Sequence, residues 1–203
     1  MGKNMRPRLI AAALTLVPAA LLALPPTAAF AHPGLGDAHG FAHGFAHPLG
    51  GFDHLLAMVT VGLFAWQLGG RALVLVPATF VLVMAAGGAL GMAARPLPGV
   101  ELGIAASVIV LGAIVALRLK PPVAIAMALV ALFAVFHGHA HGTEMPLDAS
   151  GLTYAAGFML ATGLLHAAGI ALGMTIGRIG AVGSRWVTRG SLTSAEPHVQ
   201  GPR

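Results

Sequence analysis

The stretch "AHPLGGFDHLLAMVTVGLFAWQL", Ala46 to Leu68, joins two kinds of sequence that rarely meet. Its first part holds His47, Asp53 and His54. From Leu55 it is apolar, and no formal charge follows until Arg71. The apolar part alone is too short for a bilayer crossing, which takes roughly 20 mainly apolar residues. A crossing helix must therefore start near Pro48 and carry Asp53 and His54 in its outer turns. Read that way, the stretch puts an acid and an imidazole at the lip of a membrane helix.

Composition agrees with a membrane chain. Of 203 residues, 57% are hydrophobic and 8% charged, and the mean hydropathy is +0.87. A soluble domain carries about 25% charged residues. The formal net charge of +5 does not point to nucleic acid, because the basic residues are scattered beside apolar runs instead of forming one patch. The chain has no cysteine, which excludes disulfides and thiolate metal sites. Ten histidines against six acids is the unusual feature, and the histidines are clustered.

Working outward from Ala46, the upstream sequence reads as a leader. Lys3, Arg6 and Arg8 precede an apolar run, and Ala29-Phe30-Ala31 has the pattern of a cleavage site. Residues 1–31 are expected to be a cleaved signal peptide, which leaves the new N-terminus outside. Residues 32–47, rich in Gly and His, are expected to be a flexible external segment. Downstream, four more stretches suit a crossing: 72–94, 100–117, 122–141 and 152–176. The fourth is long enough only if it runs into His137, His139 and His141. With 48–68 these give an all-α, polytopic bundle of five spans over 48–178. A basic tail, 179–203, is expected to be disordered. Pairs at GxxxG spacing (Gly87 and Gly91; Gly169, Gly173 and Gly177) mark the second and fifth spans for close packing.

Charge orients this bundle. With the N-terminus outside, Arg71, Arg118, Lys120, Arg178, Arg185 and Arg189 fall on the cytoplasmic side, and Arg95 outside. The expected location is the inner, cytoplasmic membrane, with the C-terminus cytoplasmic. It follows that the His47/Asp53/His54 end of the first span and the His137–Glu144 end of the fourth share the external side.

Ionisable groups within a bilayer cost about 2.5 kcal/mol or more at the helix centre, so they are candidates for function. Here they are His47, Asp53, His54, His137, His139, His141, Glu144 and His166. Imidazole with carboxylate, without sulfur, suits borderline divalent ions such as nickel, cobalt or zinc. His137, His141 and Glu144 share a helix face. His139 points elsewhere unless the helix unwinds near Gly138. His32, His39 and His43 read either as a tail that captures metal or as a tail without an ordered site.

These residues resemble a known family. His47, Pro48, Gly51, Asp53 and His54 fit an HPxxGxDH signature, and Phe136, His137, Gly138, Ala140, His141, Gly142 and Glu144 fit FHGxAHGxE. In these two motifs, and in "ATGLLHAAG" around His166, the chain resembles the HupE/UreJ family of hydrogenase- and urease-accessory membrane proteins. His139 occupies a variable position of the second motif. The resemblance implies a nickel, or cobalt, permease. Its cargo is the metal ion itself, and no cofactor is expected.

The mechanism expected is stepwise. Two carboxylates attract a divalent cation, imidazoles select it over magnesium and calcium, and His166, about 20 Å along the fifth span, forms a second stop. The partners expected are the cation and the lipid bilayer, and five small spans leave room for a homo-oligomer. Two other readings compete. One is an intramembrane zinc hydrolase using His47, His137, His141, Asp53 and a serine. Its natural serine, Ser107, lies mid-span at a depth that does not match the external cluster. The other is an external metal sensor or chaperone without transport.

Overall fold

The computed structural model describes residues 37–145 and 150–193, with side chains for 40–145 and 151–178. The expected leader, His32 and the end of the tail lie outside the described residues. All described elements are helices: α1 (Asp37–Gly50), α2 (Phe52–Leu68), α3 (Ala72–Met92), α4 (Val100–Ala116), α5 (Val123–Glu144) and α6 (Ser150–Thr193).

Three of them are long and apolar enough to cross a membrane: Ala72–Met92, Val123–Glu144 and Gly151–Arg178. Gly40–Gly50 and Phe52–Leu68 pass the same test as a pair, but bent by 84°. Val100–Ala116 is apolar but shorter. Leu82, Leu102 and Leu152 stand exposed on outer faces. Such faces suit lipid and would be a liability in water. The chain is a helical membrane protein.

Three expectations change. Residues 32–47 were expected to be flexible and irregular, but from Asp37 they form α1. That helix runs through Pro48 and stops at Gly50, so Pro48 lies inside a helix instead of starting a span. The break is local chemistry. Proline removes one backbone donor, and Gly51 adopts an extended conformation, φ −110° and ψ 125°, as α2 begins. At the other end, α6 continues to Thr193 through much of the segment read as a disordered tail. No proline interrupts the sequence between Ser150 and Pro197, so nothing forces the helix to stop near residue 176.

Glycines set the close contacts. The strongest packing is α3 on α5. A Cβ at Gly138 would collide with the Met84 carbonyl, and one at Gly142 with the Gly88 carbonyl. The helices therefore meet backbone to backbone, which locks the height and rotation of the His137–His141 segment. Gly87 and Gly91 take part in that contact, against Val135 and His139. Gly169 packs instead on Val59 and Gly62 of α2, and Gly173 on the Trp66 ring. The second and fifth spans do pack closely, each chiefly through a different neighbour. Val61, Phe64, Val76, Leu111 and Val130 fill an apolar core toward the opposite end of the bundle.

Candidate metal centre

The centre is assembled from α1, α2 and α5 at one end of the bundle. α1 supplies His43 and His47, one turn apart. α2 supplies Asp53 and His54 in its first turn, where a carboxylate is stabilised by the helix dipole. α5 supplies His137, His141 and Glu144 on one face. It stays helical to Glu144, one turn beyond the expected boundary at residue 141.

His47, His141 and Glu144 come together as a triad whose ligand atoms all lie within 4.8 Å of one another. His47 Nε2 is 3.3 Å from Glu144 Oε2. Donors held about 2.1 Å from one ion are at most about 4.2 Å apart, so a small contraction would close the group on a cation. Glu144 is 56% exposed, against 16% for His47. The carboxylate faces the approach and the imidazoles stand behind it.

The file continues inward ring by ring. His47 and His141 have centroids 4.9 Å apart, His141 and His54 4.4 Å, and His54 and His137 5.0 Å. Asp53 does not join the triad. Its Oδ1 accepts the His54 backbone N–H at 2.8 Å and lies 3.0 Å from His54 Nδ1. An ionised carboxylate only accepts, so Nδ1 carries a proton, and in the neutral ring Nε2 is bare. Nε2 is buried and has no partner, which is the state of a nitrogen ready to bind a metal.

His166 lies deeper. It is 1% exposed, and neither ring nitrogen has a partner. The Phe80 ring stands between it and the outer group, 5.3 Å from His166 and 5.7 Å from His137. At 1.5 Å per residue, His137 lies about 10 Å below Glu144 on α5, and His166 about 22 Å along α6 from Gly151.

His139 is not part of the file. With the helix intact it points to the α3–α4 turn, where its Nε2 donates to the Arg95 carbonyl at 2.7 Å. His43 is exposed, 6.3 Å from His47 and 5.7 Å from Tyr154 between ring centroids. His39 lies on α1, but its side chain is outside the described residues, as is the whole of His32.

Sequence reasoning misjudged or missed three residues. Ser107 Oγ is 2.9 Å from His137 Nε2, so its depth does match the cluster. Val100 to Ser107 and His137 to Glu144 are equal lengths of helix measured from the same end of the bundle, and that count reveals the match. Phe80 lies outside the sequence motifs, and Thr162 stands within "ATGLLHAAG" with no role that the sequence assigns to it. Thr162 is fully buried with an unpartnered hydroxyl. The four-residue spacing of Tyr154, Phe158, Thr162 and His166 put all of them on one face of α6. Tyr154 and Phe158 wall the outer group, with Phe158 4.2 Å from His141 between ring centroids.

Comparison with known proteins agrees with the motifs. A family model described as HupE / UreJ protein matches residues 19–195. Protein HupE of Rhizobium leguminosarum bv. viciae is 47% identical over 167 residues, spanning 82% of this chain and 86% of that protein. No solved structure matches the chain.

Proposed function

Because this chain belongs to the HupE/UreJ family, we propose that it is a permease carrying nickel, or cobalt, across the cytoplasmic membrane to supply hydrogenase or urease maturation. One observation carries the reading: the unbroken file of imidazoles from a carboxylate mouth to the buried His137, with His166 beyond Phe80. A site that only captured metal would need the triad alone. Unpartnered imidazole nitrogens at successive depths give an ion several places to rest, and successive weak sites let it leave as well as enter.

In this reading α2 to α6 make five crossings and α1 lies across the external mouth, after a cleaved leader. The ion meets Glu144 and Asp53 first, whose charge offsets part of its dehydration. It then passes from His47 and His141 to His54 and His137, and on to His166. Neutral imidazole binds metal and imidazolium does not, so uptake falls as the medium is acidified.

Ser107 beside His137 gives the hydrolase reading a specific observation, because three imidazoles, a carboxylate and a serine now lie close together. The bonding of that serine argues against a nucleophile. Ser107 Oγ donates to the Ile104 carbonyl at 2.6 Å and faces a ring nitrogen that must then carry a proton, so no base is available to it.

The test is nickel accumulation by bacteria that lack their own nickel transporters. The intact chain should raise accumulation, and His54→Ala and His137→Ala should abolish it at equal membrane expression. Normal accumulation by both variants would remove the site assignment.

A further inference from the structure

Ser107 is the only polar side chain in α4 beyond the first turn, and it is completely buried. Its hydroxyl has two neighbours: the Ile104 carbonyl oxygen at 2.6 Å and His137 Nε2 at 2.9 Å. Two oxygens cannot approach to 2.6 Å with only lone pairs between them. The carbonyl has no proton to give, so the hydroxyl proton lies on that line. The serine oxygen is then only an acceptor toward His137, and His137 Nε2 must carry the ring proton. The other ring nitrogen, Nδ1, is left bare, and it is buried without a partner.

We propose that Ser107 is a positioning residue that holds the His137 ring in its Nε2-protonated tautomer and fixed orientation, so that Nδ1 is presented to the passing cation. The inference rests on the permease reading for its purpose, though not for its geometry. It makes Ser107 the counterpart of Asp53. Asp53 accepts the hydrogen bond from His54 Nδ1–H and leaves Nε2 bare; Ser107 accepts the hydrogen bond from His137 Nε2–H and leaves Nδ1 bare. Two facing rings, 5.0 Å apart, thus each keep one bare nitrogen, and neither has to rotate or lose a proton when an ion arrives. A metal-binding histidine commonly has its other nitrogen held in this way, and loss of the holding group lowers metal affinity about 10- to 100-fold.

The experiment compares wild-type protein with Ser107→Ala, Ser107→Thr and Ser107→Val, purified in detergent and labelled with ¹⁵N-histidine. Thr and Val have the same shape and differ in the hydroxyl, which separates hydrogen bonding from volume. His137 signals are assigned by their loss in His137→Gln. The wild type and Ser107→Thr should show one tautomer protonated at Nε2, while Ser107→Ala and Ser107→Val should show tautomer exchange. Nickel affinity, measured by titration with nickel chloride, should fall about 10- to 100-fold in Ala and Val and recover in Thr. A wild-type His137 protonated at Nδ1, or a tautomer that ignores the hydroxyl, would overturn the proposal. So would unchanged nickel affinity in Ala and Val. If the tautomer follows the hydroxyl but the wild type binds no nickel, the permease reading fails and the holding bond stands.

Discussion

Asp53 and His139 show how one residue type pattern can hide two jobs. Asp53 is half exposed at the mouth, yet its oxygen is committed to the backbone and ring of His54. Asp53→Ala should therefore keep the fold and lower nickel affinity about 10- to 100-fold, read by calorimetric titration of the purified protein. His139 lies in the most histidine-rich stretch of the chain, but its bond goes to the Arg95 carbonyl. His139→Ala leaves that acceptor short of a donor and should destabilise the protein by about 1–3 kcal/mol, read as a lower Tm, with nickel uptake intact at permissive temperature. A large uptake defect in stable His139→Ala would return it to the pathway. This difference was legible in the sequence, since an intact helix points His139 away from the face of His137 and His141. The bond that holds it was not, because Arg95 is 44 residues away.

At the level of the helix, the glycines beside the histidines matter as much as the histidines. Gly138→Ala or Gly142→Ala would drive a methyl group into a carbonyl of α3 and push the two helices apart. Each should cost about 1–3 kcal/mol and abolish uptake by moving His137 and His141. Gly112 and Gly163 have open space at the same position, so Gly112→Ala and Gly163→Ala should be neutral in both assays. Equal tolerance at all four sites would contradict the packing described. The three helices long enough to cross, Ala72–Met92, Val123–Glu144 and Gly151–Arg178, were readable from apolar length, and the glycine spacing flagged close packing. The partners were not readable, because a GxxxG face does not say which neighbour it meets. The helical α1 was hidden as well. Its alternating Gly, His and Ala lack a strong apolar period, and its packing against α6 through Gly44 and Gly157 is a tertiary contact.

Across the whole molecule, the two motifs meet because three helix ends converge. The charge pattern anticipated that meeting, which the fold achieves with α2 and α5 in the same bundle and α1 across the bend. The depth of Ser107 follows only from a cluster that descends about 10 Å along α5 from the lip. The chain has no cysteine, so single cysteines can report orientation directly. Pro98→Cys and Met145→Cys should react with an impermeant thiol reagent from outside intact cells, and Leu119→Cys only after permeabilisation. The reverse pattern would invert the proposed direction of transport. Conduction of nickel along the imidazole file is measured most directly as radioactive nickel flux into lipid vesicles containing only this protein. Wild type should show saturable uptake, lost in His137→Ala, and lost in His166→Ala with nickel binding at the outer group retained. Wild-type vesicles that bind nickel at their surface without accumulating it would contradict conduction and leave a metal-binding protein in place of a permease.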